Sequence, residues 1–124
     1  MKRVYILILA LLATGFVRSD ASTANTQDPV KVNAKHITVK VDNPRVRVFE
    51  AVLKPGEKEN VHAHPATVVY VVEGGKFRNY ASDGTTSEVE LKAGDTLYRD
   101  PLTHSAENIG NTTLRLVVVE LKNQ

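Results

Sequence analysis

Three histidines in two short blocks are the residues best placed to do chemistry in this chain. They are His62-Ala63-His64 and, forty residues on, His104. Neutral imidazole nitrogens are good ligands for Zn, Fe, Cu or Ni. On an extended strand, side chains two apart point to the same face. His62 and His64 can therefore converge on one ion, and a neighbouring strand can bring in His104. Three imidazoles would leave the charge of a divalent ion uncompensated. That arrangement favours an acidified water or a bound anion at an open fourth position, and an open position permits Lewis-acid or hydroxide chemistry.

The elements that must position these histidines read as strands. Ile37, Val39 and Val41 alternate on one face, and Arg45 to Leu53 alternates again, with Val46 and Val48 opposite Arg45 and Arg47. Lys54-Pro55-Gly56-Glu57 is a turn signal. Val68-Val69-Tyr70-Val71-Val72 is apolar on both faces, as a strand covered on both sides would be. Glu73-Gly74-Gly75 breaks it, Ser82-Asp83-Gly84 marks a hairpin, and Thr112 to Leu121 is the last strand. Eight or nine short strands with regular turns indicate an all-β jelly roll or a similar closed sandwich. Past the amino terminus, no stretch has the pattern of an amphipathic helix.

The two histidine blocks resemble the paired motifs of the cupin superfamily. Gly56, His62, His64 and a late glycine, Gly74 or Gly75, match the first motif. Gly94, Pro101, His104 and Asn108 match the second. The resemblance covers residues 35 to 121 and implies a single cupin-type barrel of the double-stranded β-helix kind. It also implies a divalent transition metal (Zn, Fe, Cu, Ni or Mn) held by His62, His64 and His104. Three departures stand out. Thr67 or Val68 occupies the place of the first motif's carboxylate ligand. Six residues, not five, separate Gly94 from Pro101. The second motif's inner glycine is missing. Small cupins commonly dimerise, so a homodimer is expected by resemblance. The apolar stretches at Val46-Val48 and Leu116-Val119 are either its surface or core.

Around the histidines, Thr67, Val68, Tyr70, Tyr98 and Arg99 are candidates to line a pocket. Thr67 has a hydroxyl that can hold a water beside a metal. Arg99 has a guanidinium that can clamp a carboxylate, and Tyr98 has a proton to donate. Ordinary strand surface is the competing role for Tyr70, Tyr98 and Arg99, and packing for Thr67 and Val68. The run Glu57-Lys58-Glu59-Asn60 reads as a solvated loop, His36 as a surface residue, and Asn108 as a structural turn or strand-end residue.

Composition narrows the rest. The chain has 124 residues, enough for one small domain. Met1-Lys2-Arg3, the apolar run Val4 to Ala13 and the small residues near Ala21 and Ala24 read as a secretory signal peptide. Residues 1–21 are assigned to it, and 22–34 to a flexible polar lead. The apolar run is short for a membrane span, so no stable membrane anchor is expected after cleavage. The expected location is secreted or periplasmic. No cysteine is present, so neither disulfides nor a lipoprotein linkage is available. The net charge of +2 comes from the signal. Without residues 1–21, 13 basic and 13 acidic residues remain, a balance that does not point to nucleic acid. The sequence thus reads as an exported cupin with a three-histidine metal site, acting on a small molecule. The alternative is a metal-free cupin that binds an organic acid or a sugar without turnover.

Overall fold

The computed structural model describes residues 27–122. Nine antiparallel strands form two facing sheets. The strands are β1 (Ile37–Asp42), β2 (Val46–Leu53), β3 (His62–His64), β4 (Thr67–Glu73), β5 (Gly75–Ala81), β6 (Thr86–Leu91), β7 (Thr96–Arg99), β8 (Leu102–Asn108) and β9 (Leu114–Leu121). One sheet has the order β1-β2-β9-β4-β7 and the other β3-β8-β5-β6. This is the all-β sandwich expected from the alternation.

Residues directly opposite on paired strands share a face, so register builds rows of side chains. Across the inner face of the larger sheet one row reads Arg47, Glu120, Thr67, Arg99. The next row inward reads Phe49, Val118, Val69, Leu97. A polar layer thus lies directly on an apolar one. The apolar side continues into two packed clusters, Ile37, Phe49, Ala51, Val69 and Val118, then Leu53, Val71, Phe77, Leu91, Ala106 and Leu114.

Two sequence expectations change here. The apolar β4 is covered on its inner face only, since Val69 and Val71 are buried while Tyr70 and Val72 are exposed. In β2 the inner face takes Arg47 with Phe49, Ala51 and Leu53, leaving Val46 and Val48 outside. The burial of Arg47 is offset by carboxylate partners, which alternation alone does not show.

The described part of the polar lead is structured. Pro29–Val32 forms one helical turn, α1, capped by Asp28, whose carboxylate accepts the Val30 amide at 2.9 Å. Asn33 behind it is buried, and its amide accepts the Asn60 N–H at 2.7 Å. The expectation of a flexible lead therefore fails for residues 28–34. Its polar residues read as solvated because their partners are far along the chain. Residues 1–26, which include the expected signal peptide, lie outside the described residues.

Candidate metal centre

Strands β3 and β8 pair with His62 opposite His104 and His64 opposite Leu102. Parity puts His62 and His64 on one face, and register adds His104. The ring centroids lie 4.7 Å apart for His62–His64 and for His62–His104, and 5.4 Å apart for His64–His104. One ligand atom from each ring lies within 4.8 Å of the others.

The second ring nitrogen of each histidine is occupied. His62 Nδ1 donates to the Asn60 carbonyl at 2.7 Å; the Asn33 side-chain nitrogen, 3.0 Å from the same Nδ1, donates to that carbonyl at 3.2 Å. His64 Nδ1 donates to Glu120 Oε1 at 2.9 Å. His104 Nδ1 donates to Asn79 Oδ1 at 2.6 Å. Each acceptor is an oxygen, so each Nδ1 carries a hydrogen, and in the neutral ring the lone pair then falls on Nε2. Outer hydrogen bonds of this kind fix the tautomer and orientation of a metal-binding imidazole. Burial lowers the His62 pKa to about 4, with the charge of His64 adding to the effect. Burial lowers that of His104 to about 3, with added repulsion from His62, His64 and Arg99. Both rings are neutral at pH 7, the form that ligates. The donor set therefore fits a divalent transition metal.

Two carboxylates that the sequence reading did not place at the site belong to it. Glu120, buried in β9, bridges His64 to Arg47, accepting Arg47 Nε at 2.7 Å through Oε2. Arg47 continues to Asp28 at 2.9 Å. Glu59, read as part of a solvated loop, is only 9% exposed and lines the cavity, with Oε2 at 3.7 Å from His62 Nε2. Burial raises its pKa to about 7. The Lys58 side chain leaves the same loop outward, onto the Tyr80 ring.

The triad opens onto a cavity of about 70 Å3 between the sheets. One water needs about 10–15 Å3 by such a measure, so there is room for a small molecule. The lining is mainly hydrocarbon, including Phe49, Val69, Leu97 and Leu116, with Thr67, Arg99 and Glu59 as polar exceptions beside the three histidines.

Thus, of the pocket candidates read from sequence, Thr67 and Arg99 line the cavity and Val68, Tyr70 and Tyr98 do not. Tyr70 is 48% exposed and Tyr98 is 63% exposed, on the outer face with Val68. The pleat makes the choice: with Thr67 and Arg99 inward, their neighbours must point out. His36 is another correction. It is buried, not on the surface, with Nδ1 at 3.5 Å from Glu57 Oε2. Asn108 is structural, as read. Its amide donates to the Leu53 and Thr112 carbonyls at 2.8 Å and accepts the Gly110 N–H at 3.0 Å.

Comparison with known proteins agrees with this architecture. The family model described as a cupin domain matches residues 49–120, and the chain belongs to that family. A cupin domain from Bordetella pertussis Tohama I is 28% identical, over 70% of this chain and 92% of that one, with a TM-score of 0.65. A conserved protein from Klebsiella pneumoniae with a double-stranded β-helix domain is 25% identical, over 70% and 76%, with a TM-score of 0.56. No curated protein matches the chain.

Proposed function

We propose that this chain is an exported, metal-dependent cupin in which His62, His64 and His104 hold one divalent transition metal ion beside a small-molecule pocket. The observation that carries the reading is the set of three Nδ1 hydrogen bonds, which leave the Nε2 atoms of three clustered rings for one ion. When bound, such an ion supplies a Lewis-acidic position for turnover of a small molecule. Around it, Thr67 and Glu59 offer a hydroxyl and a carboxylate to a ligand, and the hydrocarbon walls exclude water from its body.

Elemental analysis of protein purified without chelators or nickel resin tests this reading. One equivalent of metal is expected, lost in both His62→Ala and His104→Ala. Background metal in the parent, even after supplementation, would overturn it.

A metal-free binding role is the second reading. Neither Thr67 nor Val68, the two residues at the place of the family's carboxylate ligand, is an acid, and Thr67 is the one that lines the cavity. The hydrocarbon lining favours an organic acid over a sugar. Thermal stabilisation of chelator-treated protein by such acids, without product, would support it.

Export rests on the residues Met1 to Ala21, and cleavage would appear as the mass of the mature chain. Self-association is supported by the outer face of β4, β7 and β9, where Val68, Tyr98 and Val119 share a row and Tyr70 lies beside it. Light scattering is expected to give a dimer mass, lowered by Tyr98→Glu. A monomeric parent would exclude it.

A further inference from the structure

We propose that Arg99 is the anion-recognising group of the cavity, and that the cavity takes a small carboxylic acid with a hydrocarbon body. The inference deepens the small-molecule reading of the same site and rests on it.

The polar row across the larger sheet is Arg47, Glu120, Thr67, Arg99. At one end Arg47 is matched by Glu120 at 2.6 Å and Asp28 at 2.9 Å. Elsewhere, Arg78 meets Glu88 and Arg115 meets Glu50. Among the described arginines only Arg45 and Arg99 lack an acidic partner. Arg45 is exposed, whereas Arg99 is half-buried and faces the cavity from β7. An inward guanidinium with no counter-charge is costly to bury. Its field falls on His104, itself a metal-ligand candidate, and adds no neutralisation there. Glu59 is the one carboxylate lining the cavity, and it lies against His62 on the opposite sheet. A metal on the triad would make this end more positive still.

The missing partner is therefore an anion brought by the ligand. A carboxylate suits it, since the planar guanidinium presents parallel donors that match two carboxylate oxygens. One layer below, the row Phe49, Val118, Val69, Leu97 is hydrocarbon. A ligand headed at Arg99 must put its body there, where an apolar chain is favoured and a polyol would leave hydroxyls without partners.

Titration calorimetry of hexanoate, hexanamide and acetate tests the proposal on full-length protein, both chelator-treated and zinc-loaded. In the metal-free protein, hexanoate should bind at least tenfold more tightly than hexanamide, which lacks the charge, and than acetate, which lacks the body. Arg99→Gln should remove the preference over hexanamide, while Arg99→Lys keeps part of it and Arg45→Gln all of it. Equal binding of hexanoate and hexanamide by the parent would overturn the proposal, as would a preference retained in Arg99→Gln. Equal binding of acetate and hexanoate would overturn the hydrocarbon body. Zinc affinity, measured on the same samples, separates the two readings. Failure to bind zinc removes zinc as the occupant of the triad and leaves the metal-free comparison decisive for Arg99. Zinc binding without carboxylate preference removes only the role of Arg99.

Discussion

Asn79 holds the hydrogen of His104 Nδ1 at 2.6 Å, and so decides which nitrogen of that ring can meet a metal. Asn79→Ala should lower zinc affinity by about 10–100-fold while the protein stays folded. Competition with a chromogenic chelator measures this, and unchanged affinity would show that the acceptor has no such role. Glu59 makes a second test at this scale. Its folded-state pKa is raised from 4.5 to about 7 by burial. Between those values the folded protein holds a proton that the unfolded chain has released. Its contribution to stability is thus full below pH 4.5 and is lost as pH rises to about 7. Glu59→Gln removes this loss. Relative to the metal-free parent, the variant should gain stability across that window, on the order of 3 kcal/mol at its upper end. Urea unfolding of chelator-treated proteins from pH 4.5 to 8 checks it. A constant difference across the range would contradict it. Neither Asn79 nor Glu59 stands out in the sequence: Asn79 meets His104 only through the pairing of β5 with β8, and Glu59 is buried in a charged loop whose backbone bonds across to Ala106 of β8. The histidines do stand out, because their spacing already matches the pleat.

At the scale of the strand, parity was readable and its direction only in part. His62 and His64 share a face whichever way β3 turns, so that pairing needed no structure. For β4 and β7 the question was which half faces inward, and an apolar run on both faces left it open. Tyr98 and Tyr70 went out and Arg99 came in. In β9 the signal was present: Leu114, Leu116 and Val118 set the inner parity, and Glu120 continues it. A carboxylate on a core parity marks a buried ion pair or a site. The β4–β5 junction gives a sharper test. A Cβ on Gly74 would lie 2.2 Å from the Leu91 carbonyl oxygen, a backbone atom that cannot swing aside. Gly74→Ala should therefore destabilise the protein by more than about 2 kcal/mol, read as a lowered denaturation midpoint. A shift within about 0.5 kcal/mol, typical of surface substitutions, would mean that the turn has slack.

Over the whole molecule, the amino-terminal turn and the histidine site form one hydrogen-bonded unit. Asp28 caps α1 and meets Arg47, Arg47 meets Glu120, and Glu120 orients His64. On the other side, the Ala63 N–H donates to the Gln27 carbonyl at 2.8 Å, and Asn33 holds Asn60. The segment read as a loose lead is thus a clamp over β3. The barrel itself was legible from turns and alternation. The clamp was not, because its residues are short, polar and local in appearance, and only long-range contacts give them a place. Arg47→Leu leaves Glu120 buried without its strongest partner, so it should cost about 3 kcal/mol and weaken zinc binding along with it. Equilibrium unfolding and zinc titration of the variant measure both. Full stability in Arg47→Leu would show that the chain of ion pairs carries nothing.

X-ray absorption at the metal edge of the zinc-loaded protein tests the central claim most directly. Three nitrogen neighbours at about 2.0–2.1 Å, with the outer-shell scattering of imidazole rings, are expected and should be lost in His104→Ala. A shell of oxygen alone without imidazole scattering, or a spectrum unchanged in His104→Ala, would contradict it.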